Sequence, residues 1–341
     1  MDCEGCARLP SKVAKLVTAV RIGLCTPGIC SSSEIREELL AKYFMYIFGA
    51  AVMFPVPRPA QVRVSELSHW SHLELDFVVA GIDCCGTTSV SRWLQQLDGV
   101  EFSRAGEEDD FFFAQDSLLP YVSEVAVFNS RWKNKSTLKG LRNPSLFAHL
   151  RVRMALARIP GLKVLVVVCD PLSRIDKSFW WYFICNPSLP HPAAGPLTRK
   201  GDCFESISSV LEPGFLQHYE VRRHLEHLKR LYGHRLGILH QEHLRLSAAS
   251  TFAHLLHWLR LPVPEWCRLD RHNHRPGHRT DLCHNDTMVL RFKQLLSPEY
   301  DFLEQLLLDF GLGLPVPEQL KLRRSRCDRP EELREPEGAA L

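Results

Sequence analysis

Two short runs of this chain show no alternation between apolar and polar residues: "LDFVVAG" at 75–81 and "LKVLVVV" at 162–168. A strand with one face in water alternates. A strand that is apolar throughout must be covered on both faces, which is the condition of strands in a parallel sheet. Each run leads into a helix signal. Val90, Trp93, Leu94 and Leu97 recur at helical spacing after the first, and Asp170-Pro171 reads as an N-cap with proline at the first helical position after the second. A third strand is expected at 235–244. Helices are expected at 145–159, ended by Pro160-Gly161, at 218–233, ended by Gly233, and at 250–262, stopped by Pro262. Strands alternating with helices imply an α/β fold, a single parallel-sheet domain with helices on both faces. The expected divisions are an N-terminal helical and linker segment at 1–72, the α/β domain at 73–322 and a disordered charged tail at 323–341.

Composition narrows the functional classes. The 341 residues are 45% hydrophobic and 24% charged, an ordinary globular balance, and the net charge of +3 gives no electrostatic case for nucleic acid. Twelve cysteines are scattered rather than packed into a disulfide framework. Cys3-x-x-Cys6 with Cys25 and Cys30, or His272, His274, His278 and His284, would be the zinc alternatives. The spacing of the first set is loose, and no metal is expected. No signal peptide is evident. The apolar run 43–54 spans 12 residues, short of the roughly 20 a spanning helix needs. It follows an amphipathic helix signal beginning near Ser33, so 34–54 reads as a packed helix or as a short membrane association segment. Asn134-Lys135-Ser136 and Asn285-Asp286-Thr287 are glycosylation triplets that favour a Golgi or secretory location, with the cytoplasm as the alternative.

The chemistry lies at the two strand-to-helix turns. Ligands in open α/β sheets sit at the carboxyl ends of strands. After the first strand, Gly81 and Gly86 bracket a loop with the spacing of a phosphate cradle, and Thr87 stands where such loops carry lysine. Gly86 lets the backbone approach a ligand. Thr87, Thr88 and Ser89 offer hydroxyls, and a helix starting there directs N–H groups and partial positive charge at an anion. After the second strand, Arg174, Lys177 and Ser178 lie in the first two turns of the following helix. A phosphate or sulfate is the expected ligand. The rival reading is two plain turns with hydroxyl caps and a solvated helix face.

Taken together, the turns resemble those of the nucleotide-dependent sulfotransferase family, in its carbohydrate, Golgi-type branch, over roughly residues 73–310. The resemblance implies the sulfotransferase variant of the P-loop fold and the co-substrate 3′-phosphoadenosine 5′-phosphosulfate, without a metal. It implies that Cys84-Cys85-Gly86-Thr87-Thr88-Ser89 holds the 5′-phosphosulfate, and that the stretch from Cys169 through Arg174 to Ser178 holds the 3′-phosphate. Glu108 or Asp109, ahead of three phenylalanines, corresponds to the family's acidic position and is the candidate base. Arg142-Asn143-Pro144 matches a further family stretch, and Arg275, with Arg271 and Arg279, sits where the family closes the 3′-phosphate site. Two positions depart from the pattern: the loop lysine is Cys84 and the phosphate-binding arginine is Cys169. Arg142, Lys139 or Arg174 are the cations left to stabilise the leaving group. The resemblance thus implies sulfuryl transfer to a hydroxyl or amine of an acceptor, a carbohydrate first. A catalytically silent nucleotide- or partner-binding protein is the alternative, and a kinase-like phosphoryl transferase a distant third.

Overall fold

The chain divides into two compact units, Met1–Glu66 and Leu67–Leu341. The structure, a computed structural model, describes residues 31, 33, 35, 37 and 66 of the first unit. Of the second it describes 67–82, 85–103, 119–134, 137–143, 149–178, 221–265, 268–269 and 285–323, with side chains in the helix at 171–178 given as far as Ile175. In the first unit Ser33, Ile35 and Glu37 are helical, and the Ile35 amide donates to the Ser31 carbonyl at 3.0 Å. The expected run 43–54 lies outside the described residues. Among the described residues no helix is long and apolar enough to cross a membrane.

The second unit is built on β1 (Phe77–Gly81), α1 (Thr87–Leu94), β2 (Val100–Phe102), α2 (Val122–Asn129), β3 (Leu138–Arg142), α3 (Leu150–Leu156), β4 (Lys163–Val168) and α4 (Pro171–Ser178). It continues through α5 (Arg222–Tyr232), β5 (Leu236–His240), α6 (Gln241–Leu246), α7 (Ala248–Leu259), α8 (Asp286–Phe310) and α9 (Glu318–Lys321). The five strands form one parallel sheet in the order β2-β3-β1-β4-β5. Every residue of β1 and β5, and all of β4 after Lys163, is buried. This is the two-sided cover that the unbroken apolar runs require. β1 and β4 run in register from Phe77 beside Lys163 to Gly81 beside Val167, and β4 and β5 from Val164 beside Leu236 to Val168 beside His240. The core extends outward from Phe77, Trp93, Val166, Leu255, Phe292 and Leu303, and includes Trp70, Leu73 and Leu75 ahead of β1.

Several elements differ from expectation. β2 ("VEF") and β3 ("LKGLR") are short and carry charge or glycine, so no apolar run announces them. The third strand stops at His240 rather than 244. The His240 ring accepts the Glu242 amide at 3.2 Å, and the chain turns into α6. α7 ends at Leu259 on Arg260, whose φ of 64° is left-handed, ahead of Pro262. α8, over a stretch with no expected helix, has 25 residues and contains Pro298. It packs on β5, α4 and α5.

Candidate functional site at the carboxyl ends of β1 and β4

From β1 the chain leaves toward β2 on one side of the sheet; from β4 it leaves toward β5 on the other. Neighbouring strands whose exits diverge leave a crevice between their carboxyl ends, the topological switch point where α/β sheets take ligands. In this chain that point lies between the turn at 82–86 and the turn at 169–170.

The first turn is shaped by its glycines. Gly86 has φ 109°, a left-handed conformation, and stands as N-cap of α1. A Cβ on Gly81 would meet the Val167 carbonyl oxygen at 2.8 Å and Thr87 Cγ2 at 2.9 Å, so only glycine lets β1 end this close to β4. No side chain caps α1 and no acid occupies its first turn. A helix start without a side-chain cap or an acid in its first turn is the kind that suits an anion. Thr87 and Ser89 are buried and Thr88 is half-buried. The Ser91 hydroxyl donates to the Thr87 carbonyl at 2.8 Å, locking the first turn of α1 from its buried face.

The second turn is closed by its own side chains. Asp170 Oδ2 accepts the Ser173 amide at 2.7 Å, as an N-cap should, and Oδ1 accepts the Tyr300 hydroxyl of α8 at 2.5 Å. Desolvation pushes the Asp170 carboxyl above the ordinary carboxylate range, while the bonds from Tyr300 and Ser173 pull it back. Burial, and then the Asp170 charge, push the Tyr300 hydroxyl up, so it remains a donor. One turn further, Arg174 is 1% exposed and forms a two-point pair with Glu299 of α8, Nη1 to Oε1 at 2.9 Å and Nη2 to Oε2 at 3.1 Å. The arginine expected at a phosphate presents almost no surface to a ligand and holds α4 against α8.

The two turns are covalently joined. Cys85 and Cys169 form a disulfide with Cα atoms 5.2 Å apart, and both residues are buried. Each cysteine directly precedes an N-cap residue, Gly86 of α1 and Asp170 of α4. The sequence spacing holds no signal for this pairing, since 84 residues separate the partners. Only the adjacency of β1 and β4 brings them together.

The other candidates divide as follows. Arg142 is buried at the end of β3, level with Val79, and Asn143 donates its amide to the Val79 carbonyl at 3.0 Å, so both lie toward the carboxyl edge of the sheet. Lys139 is corrected: it pairs with Glu74, and its backbone bonds Asp76 ahead of β1. That is the amino edge, a strand's length from the crevice. Cys84, Glu108, Asp109, Arg275 and the zinc-alternative residues lie outside the described residues, as does the side chain of Ser178. A residue the sequence reading missed is His240. It is 1% exposed at the end of β5, beside Val168, and burial followed by the neighbouring His243 lowers its pKa to about 3. Its Nε2 has no hydrogen-bond partner.

The sequence matches no family model and no curated protein. Among solved structures, the sulfotransferase from Alicyclobacillus acidocaldarius is similar with a TM-score of 0.52 at 11% identity, covering 73% of this chain and 99% of that one. The fold is that of a sulfotransferase. Weaker likenesses are a mouse sulfotransferase complexed with PAP (TM-score 0.33, 14% identity, 56% of this chain and 60% of that one) and the sulfotransferase domain from the curacin biosynthetic pathway (0.34, 12%, 77% and 97%). Within the sulfotransferase fold found here, the described residues of the two turns include one cation, Arg174, and it is committed to Glu299.

Proposed function

We propose that the protein is a sulfotransferase that binds 3′-phosphoadenosine 5′-phosphosulfate across the β1/β4 crevice and transfers its sulfuryl group to a hydroxyl or amine, on a carbohydrate first. The observation that carries this reading is the helix start at the switch point, which has no side-chain cap. Gly86 turns the chain, no side chain caps α1, and its first three residues are Thr87, Thr88 and Ser89. The acceptor oxygen would attack sulfur in line, the bond from sulfur to the bridging phosphate oxygen would break, and adenosine 3′,5′-bisphosphate would leave. The α1 amides and hydroxyls are proposed to take up charge on the departing phosphate. Glu108 or Asp109 is proposed to remove the acceptor proton, and Arg142 to supply a cation from the β3 side. Arg275 is proposed to close the 3′-phosphate end with Ser178. A Golgi or secretory location, with association through 34–54, is proposed on the glycosylation triplets and gains support from the disulfide, which persists in oxidising compartments.

A second reading has its own support. The Arg174–Glu299 pair and the cysteines at 84 and 169 remove cations that sulfuryl transfer uses, which favours nucleotide binding without turnover. Titrating the purified protein with adenosine 3′,5′-bisphosphate, then supplying radiolabelled sulfate donor and a panel of glycans, separates the readings. Binding with transfer supports the enzyme. Binding without transfer supports the silent protein, and preference for ATP would sink both. In the same assay Cys84→Lys is expected to tighten binding, because it returns a cation to the α1 loop.

A further inference from the structure

We infer that the Cys85–Cys169 disulfide is a redox latch on the crevice: oxidised, it holds the two strand-end turns together in their ligand-ready arrangement, and reduction releases them. Its effect on nucleotide binding rests on the reading proposed above; the latching of the turns does not.

Three observations carry this inference. The bond crosses the sheet at the switch point, between the two strands whose exits diverge, rather than stapling a terminus or a surface loop. Each of its cysteines directly precedes the N-cap of a different helix, so one covalent link sets the positions of two helix starts, α1 and α4. The turns differ in their other restraints. The α4 side is held to α8 by Asp170–Tyr300 and by Arg174–Glu299. On the α1 side, among the described residues of the turn leading to the helix, the Ile82 amide donates to the Val167 carbonyl and the Cys85 amide to the Ile82 carbonyl, both at 3.3 Å. Cutting the disulfide therefore leaves the α4 turn its ties to α8 and takes from the α1 turn its covalent one; on the reading proposed above, the α1 turn is the one that meets the anion.

The redox step balances with any small dithiol. One thiolate of the dithiol attacks a sulfur of the bridge, the Cys85–Cys169 bond breaks, and the departing cysteine thiolate takes a proton. The second thiol of the reagent then displaces the other cysteine and closes a cyclic disulfide. Two electrons and two protons pass from the dithiol to the protein. The bridge is buried, Cys85 at 0% and Cys169 at 1% exposure, so the turns must open before a reductant reaches it. A ligand that holds the turns closed must then protect the bond, and by linkage the bond must favour that ligand to the same degree.

The experiment uses the full chain, oxidised or treated with dithiothreitol, with peptide mapping to confirm the linkage and amide hydrogen exchange as the main readout. Reduction is expected to raise exchange in 82–90, less so in 169–174, and to leave α5, α7 and α8 unchanged. Adenosine 3′,5′-bisphosphate is expected to bind about tenfold more weakly after reduction and to slow the reduction by a similar factor, a coupling of ordinary size. Cys169→Ser should reproduce the reduced protein in any redox buffer. Exchange rising across the whole molecule would overturn the latch in favour of a global staple. Unchanged exchange at 82–90, equal nucleotide affinity in the two states, or a Cys84–Cys169 linkage in the mapped peptides would also overturn it. Local release at 82–90 with no nucleotide bound in either state would uphold the latch and sink the functional reading.

Discussion

Arg174 shows how a side chain's partner decides its role. Buried charges are tolerated when paired and bonded, and removing one partner leaves the other stranded. Glu299→Ala is therefore expected to destabilise the protein by about 3–5 kcal/mol, while the double change Arg174→Met with Glu299→Leu costs far less. Urea unfolding of both variants checks this, and equal losses would show that packing rather than charge matters at the pair. His240 makes a second prediction, about pH. An unfolded imidazole titrates near 6.5, whereas folded His240 is held at about 3 by burial and then by His243. Below pH ~6.5 the unfolded chain binds a proton that the folded chain refuses. The stability due to this group is therefore complete above ~6.5 and drains away as pH falls toward 3, by up to about 1.4 kcal/mol per unit. Burial lowers His224, His227 and His243 as well, which adds to the same slope. In urea midpoints measured from pH 8 to 4, His240→Asn should flatten the acid limb, and an unaltered slope would refute the assignment.

At the scale of elements, the helix ends carry the design. α1 begins on a left-handed glycine with no side-chain cap, whereas α4 begins on an aspartate that is both cap and acceptor for Tyr300. This asymmetry leaves one helix start without a side-chain cap and closes the other. Asp170→Ala should cost about 2–4 kcal/mol, the sum of a lost N-cap and an orphaned tyrosine hydroxyl. Tyr300→Phe should cost about 0.5–1.5 kcal/mol, a single hydrogen bond. If thermal melts rank the two the other way, the cap is not what Asp170 contributes. The helix caps and stops at Asp170-Pro171 and Gly233 were legible because they depend on the residue at the cap itself. The end of β5 was not, because "LHQEHL" continues the apolar pattern past the point where His240 caps α6.

For the whole molecule, among the described residues the buried core from Trp70 to Leu320 lies in the second unit. A chain comprising 67–341 should therefore unfold cooperatively by itself. Starting at 73 instead removes Trp70, which is 5% exposed and packed in that core. That truncation should lose about 3–5 kcal/mol, the usual cost of deleting a buried aromatic. Calorimetry on the two truncations decides it, and equal stability would place Trp70 outside the cooperative unit.

The α/β class and the two strand-to-helix turns at Gly86 and Asp170 could be read without coordinates. Unbroken β-branched runs, glycine spacing and proline at a helix start are local signals, each set by the backbone preferences of a few residues. The order β2-β3-β1-β4-β5, the short strands β2 and β3, and the proline-bearing α8 were decided by tertiary packing, since pairing partners outweigh local preference there. The same holds for the site. Cys169 read as a lost cation, and Cys85 only as part of the anion loop, until the sheet sets β1 beside β4 and makes the two one bond. Arg174 read as a phosphate ligand until α8 brought Glu299 against it. Contacts between residues more than 80 positions apart depend on how strands and helices stack, and no local pattern encodes them.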